Sequence, residues 1–103
     1  MTECGDHYER NAAMPCMAID HDLENYYAQI EMPGVRKEDI DLTVTEGSFC
    51  VKGKRGDKEL SGCWMLGHPV NAATVKAKYS EGLLDIVMPL KHRMSEGKKV
   101  KVE

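Results

Sequence analysis

The sequence predicts an all-β domain built as a β-sandwich, two antiparallel sheets packed face to face. Three observations point there. Apolar residues recur with a period of two, whereas the 3.6-residue period of a helix is almost absent. The alternating stretches are short and divided by Pro and Gly turn signals at regular spacing. And 103 residues, 11.5 kDa, suffice for only one core.

The elements follow in order. A short strand is expected at about Cys16 to Ile19. From Tyr26 to Met32 the residues Tyr26, Ala28, Ile30 and Met32 share one face, while Gln29 and Glu31 take the other. Pro33-Gly34 stops that strand, because Pro lacks the ladder N–H and Gly readily takes positive φ. After the charged connector Arg36 to Asp39, Ile40, Leu42 and Val44 alternate inward with Asp41, Thr43 and Thr45 outward. Glu46-Gly47-Ser48 then turns the chain into an antiparallel neighbour with Phe49 and Val51 on the core face. Arg55 to Gly62 is polar and reads as a connection to a strand at Cys63 to Leu66, closed by Gly67-His68-Pro69. Val75, Ala77 and Tyr79 form the next inward row, Glu81-Gly82 turns, and Leu84, Ile86 and Met88 follow before Pro89. That makes seven strands. The expected layout is a flexible arm over residues 1–14, a sandwich over 15–90 and a flexible tail over 91–103, since both ends offer too little apolar surface to offset the entropy of ordering them.

Composition narrows the function classes. With 42% hydrophobic residues, 30% charged residues and a net charge of −3, the chain has the make-up of a globular protein. No apolar run exceeds four residues, short of a membrane span or a secretory h-region, so a cytoplasmic location without membrane contact is expected. The tail is basic through Lys91, Arg93, Lys98, Lys99 and Lys101, but no aromatic-and-basic surface accompanies it and no nucleic-acid partner is expected. Cys4, Cys16, Cys50 and Cys63 form no C-x-x-C pair and read as reduced thiols. Cys4 and His7 with Cys16 and His21 match no common zinc spacing, so no metal is expected. There is no G-x-S-x-G, H-E-x-x-H, G-x-x-x-x-G-K-[ST] or G-x-G-x-x-G, so the chain reads as a non-enzyme without a cofactor. His7, His21, His68 and His92 read as solvated, and Tyr26, Tyr79 and Trp64 as packing residues.

Four blocks carry a family resemblance. Met32-Pro33-Gly34-Val35 with Lys37-Glu38-Asp39-Ile40 resembles L-P-G-V-x-K-E-D-I. Phe49 to Arg55 resembles L-T-I-x-G-x-R, and Trp64-Met65-Leu66 with Val70-Asn71 resembles F-x-L-P-x-x-V-D, with Gly67 where Pro is usual. Val75 to Tyr79 followed by Gly82 to Pro89 resembles I-x-A-x-Y-x-x-G-x-L-x-I-x-x-P. In this order and spacing they resemble the α-crystallin domain of the small heat-shock proteins over roughly residues 16–103.

The resemblance implies an immunoglobulin-like sandwich and an ATP-independent holdase that binds exposed apolar surface on unfolding proteins. It also implies that Val100 and Val102, in Lys99-Val100-Lys101-Val102, stand for the family's C-terminal I-x-I/V element, which docks in a groove on a neighbouring domain; Leu42, Val44, Val75 and Ala77 are the corresponding lining residues. Met14 and Met17 are candidate client contacts in the arm, because flexible thioethers adapt to irregular apolar surface. Two departures qualify the implication. Only Gly56 to Gly62 separate the arm at Arg55 from the strand at Cys63, too few residues to carry the strand that many members exchange between subunits, so self-association is expected without it. The N-terminal arm is also shorter and less aromatic than usual. The short loop keeps open a second reading, a monomeric co-chaperone-like adaptor that docks on another chaperone or protein partner.

Overall fold

The computed structural model describes residues 8–9, 12–95 and 97–103. Its strands are β1 (Tyr8–Glu9), β2 (Ala12–Ala13), β3 (Met17–His21), β4 (Asn25–Glu31), β5 (Ile40–Val44), β6 (Ser48–Arg55), β7 (Lys58–Met65), β8 (Lys76–Ser80) and β9 (Leu83–Pro89). Two single-turn 3-10 helices, Lys37–Asp39 and Ala72–Thr74, lead into β5 and β8. The first sheet has the order β1-β2-β7-β6-β5 and the second β3-β4-β9-β8. Every pairing is antiparallel except that of β2 with β7.

The inward rows make the core. Tyr26, Ala28, Ile30 and Met32 face Leu84, Ile86 and Met88 within the second sheet, and Phe49, Val51 and Leu60 meet them from the first; all are buried. Phe49 stacks on Trp64 with ring centroids 5.2 Å apart, so the half-buried indole closes one end of the interior. Gly82 has φ +81° and follows Glu81 at φ 51°, the two positive values that a two-residue turn between Ser80 and Leu83 needs to match strand twist.

The structure departs from the sequence expectations at four places. Between β6 and β7 there is no seven-residue connection: the turn is Gly56-Asp57 alone, with Gly56 at φ +63° and Arg55 opposite Lys58. Lys58 to Gly62 is the first part of β7, and only Leu60 in that stretch is apolar and buried, which left too little periodic signal to see. Ala77 lies on the inward side by register, opposite Ile86, yet it is exposed because its small side chain sits on a free edge. Tyr8–Glu9 and Ala12–Ala13 are strands where none was expected.

The fourth departure concerns the cysteines: those among the described residues are not reduced. Cys50 and Cys63 are directly opposite in the β6–β7 ladder, their Cα atoms 4.1 Å apart, and are joined in a disulfide; Cys16 is also disulfide-bonded. Spacing in sequence could not reveal a pair that only the hairpin register brings together. Cys4 and His7 lie outside the described residues.

Candidate functional site

Each sheet has an edge at β5 or β8, strands paired on one side only among the described residues. Their inward residues are incompletely covered. Leu42 and Val44 on β5 and Val75 just before β8 are half-buried and pack against the core, as do Ile40 and Tyr79. Leu42 and Val44 thus lie at the β5 margin of the interior and Val75 at the β8 margin, with Ala77 exposed on β8.

Local chemistry positions both margins. The Asn71 side chain accepts from the Ala73 N–H at 3.2 Å and the Thr74 hydroxyl donates to the Asn71 carbonyl, which shapes the turn that delivers Val75 to β8. The Tyr79 hydroxyl lies 2.7 Å from the Met32 carbonyl oxygen and 2.6 Å from that of Val35, donating to one or the other, so the edge strand is fastened to the segment after β4. A proton donor there relieves carbonyls that would otherwise be poorly solvated. On the β5 side, Arg36 bonds Asp39 at 3.1 Å on the surface.

The tail leaves the domain through a series of fixed contacts. The Leu90 N–H donates to Glu24, that of Lys91 to Pro69 and that of Met94 to Leu23, at 2.8 to 2.9 Å. The Lys91 ammonium reaches Glu46 Oε1 at 2.6 Å and holds that carboxyl below the usual glutamate range, chiefly through this hydrogen bond. Met94 then packs on the core. Beyond it, the described residues form no strand, and Val100 and Val102 stand 75% and 90% exposed. Val100 lies six residues past Met94, a reach of about 20 Å when extended.

The methionines separate. Met14 is exposed, but Met17 belongs to β3 and packs against the core, so it sits in the sandwich and not in a preceding arm. Among the described residues no group of His, Cys, Asp and Glu could hold a metal, and no helix is long and apolar enough to cross a membrane. Sequence reasoning missed Met65, 85% exposed on the outer side of β7, because its strand appeared too short to assign a face.

Two sheets packed face to face, with half-buried apolar residues along the edges β5 and β8, define an immunoglobulin-like β-sandwich. The chain belongs to the Hsp20/alpha crystallin family, whose profile matches residues 18–103, a family of non-enzymatic chaperones. It is 25% identical over 112 residues to Small heat shock protein C4 of Rickettsia felis, covering 93% of this chain and 68% of that protein. Among solved structures it resembles heat shock protein 16.0 from Schizosaccharomyces pombe with a TM-score of 0.72 at 18% identity, over 87% of this chain and 98% of that one. HSP18.5 from E. histolytica is similar at a TM-score of 0.66 and 20% identity, over 87% and 97%. These structural likenesses speak to the fold.

Proposed function

We propose that the protein is an ATP-independent holdase of the cytoplasm that binds exposed apolar surface on unfolding proteins and self-associates through its tail. The observation that carries this reading is the tail itself, where Val100 and Val102 are held out in water past a domain whose edge residues Leu42, Val44 and Val75 are incompletely covered. Two branched residues at a spacing of two project to the same side of an extended segment, and such a segment can add along a free strand edge. Leu42, Val44 and Val75, with Ala77 at the rim, would receive Val100 and Val102 of another subunit. Met14 stays available for clients, whereas Met17 contributes to packing. Capture of clients needs no catalytic group, because burial of apolar surface supplies about 25 cal/mol per Å².

The test is light scattering of a heat-unfolded model client with increasing amounts of the protein and no nucleotide. Delayed aggregation supports the holdase. The two-residue Gly56-Asp57 turn favours a second reading, a monomeric adaptor that docks on another chaperone, because nothing between β6 and β7 is left to exchange with a partner. No delay at any ratio, together with a monomeric mass at every concentration, would select it.

A further inference from the structure

The Cys50–Cys63 disulfide lies on the β6–β7 hairpin, on the face of the first sheet turned away from the core. The residues form a pair of the close, non-hydrogen-bonded kind, the kind in which opposite side chains approach most nearly. They project to the outer side of the first sheet, away from Phe49, Val51 and Trp64, into an open depression lined by Asp41, Thr43, Lys52, Glu59 and Ser61. The hairpin is already closed by its two-residue turn and ladder, so the bond is not needed to bring the strands together. The two residues are also unequally exposed. Cys50 is half-buried beside Thr43 of β5, while Cys63 is exposed, and β2 covers β7 only at Glu59 and Leu60. A nucleophile approaching Cys63 Sγ in line with the S–S bond therefore comes over an edge that is open among the described residues.

We propose that Cys50–Cys63 is a thiol–disulfide exchange site for small thiols of the glutathione class, entered at Cys63. In the reducing direction a thiolate attacks Cys63 Sγ, the S–S bond breaks, and its electron pair leaves on Cys50 Sγ, which takes a proton from water. A second thiolate attacks the small-molecule sulfur of the resulting mixed disulfide and expels the Cys63 thiolate, which is protonated in turn. Two small thiols become one small disulfide while the protein gains two electrons and two protons. The reverse sequence, with the small disulfide as oxidant, restores the bond. Exposed disulfides are the exchangeable kind, and access selects which sulfur is attacked.

The test uses the full chain without denaturant, equilibrated in glutathione buffers of graded reduced-to-oxidised ratio. Samples are quenched in acid and alkylated, and the peptides bearing Cys50 and Cys63 are weighed. The expected result is reversible conversion between disulfide and dithiol within the range of the buffers, with the far-ultraviolet circular dichroism unchanged. A pair that stays oxidised until denaturant is added, or whose reduction melts the sheet, would make the bond a structural staple and overturn the proposal. In single variants that retain the native spectrum, Cys63 in Cys50→Ser is expected to react with an aromatic disulfide reagent several-fold faster than Cys50 in Cys63→Ser. Equal or inverted rates overturn entry at Cys63.

Discussion

Replacing both tail valines by alanine, Val100→Ala with Val102→Ala, tests assembly directly, since neither residue touches the core. Full burial of a valine contributes about 1.5 kcal/mol, and scaling by the 75% and 90% that each still exposes leaves at most about 2.5 kcal/mol for the pair. At about 1.4 kcal/mol per tenfold, that bounds the loss of association at about 60-fold. Part of this gain is offset, because fixing each tail residue costs about 1–2 kcal/mol of backbone entropy before edge-strand hydrogen bonds compensate. Weak, concentration-dependent assembly follows, not an obligate complex. Sedimentation velocity across a wide concentration range is the assay: the wild type should shift toward larger species as concentration rises, and the double variant should lag while its thermal midpoint stays the same. Superimposable profiles would show that the tail anchors nothing, and a lowered thermal midpoint would show that the valines support the domain itself.

Other perturbations reach different parts of the molecule. Phe49→Ala empties a fully buried site and removes the stack on Trp64; a loss of about 3–5 kcal/mol should appear as an earlier chemical-denaturation midpoint. Tyr79→Phe leaves the Met32 and Val35 carbonyls without their shared donor and should cost about 1–2 kcal/mol by the same measurement. Asp22 is held below the usual aspartate range first by the Glu24 N–H, then by the Tyr27 hydroxyl and the Asn25 N–H. A lowered carboxylate contributes stability that is present above its ordinary value and lost as pH falls through the lowered one. The stability gap between wild type and Asp22→Ala should therefore be widest near neutrality and close in acid; a gap that widens on acidification would contradict this. Finally, a crystal of any dimer should show residues 58–62 paired within their own hairpin across the Gly56-Asp57 turn, and a strand exchanged there would refute the short-turn argument.

Where apolar residues alternate strongly, the sequence was enough. Tyr26 to Met32 and Leu84 to Met88 have inward residues that are nearly all large, so period, face and burial coincide. Where the inward positions hold glycine, the signal fails. In β6 and β7 the inward Gly53 and Gly62 leave room for Met32, Val35 and the Trp64 ring, and a Cβ at either would lie 2.6 Å from a neighbour. Those glycines are part of the packing, but in a one-dimensional reading they resemble loop residues, and Gly62 with Lys58 and Glu59 disguised the start of β7. The same glycine hides the cysteine pair in sequence. Once Gly56-Asp57 is seen as the whole turn, Arg55 faces Lys58, and five steps back along one strand and five forward along the other place Cys50 opposite Cys63.

The same turn constrains how copies of this chain can meet. A hairpin closed in two residues spends Ser48–Arg55 and Lys58–Met65 on its own ladder, so no strand inserted between β6 and β7 is there to cross to a partner. Among the described residues the edges left for association are then β1, β3, β5 and β8 and the uncovered part of β7. Charge tells against simple edge-to-edge pairing of β8, because Lys76 and Lys78 alternate along it and two copies side by side would oppose like charges. On the proposed reading, a tail segment would enter the margin between β5 and β8 with Val100 and Val102 toward Leu42, Val44 and Val75 and its own lysines turned to water. That geometry needs no large interface and no prior dimer, which is why the tail, and not a sheet edge, is the element whose alteration should change the size of the assembly.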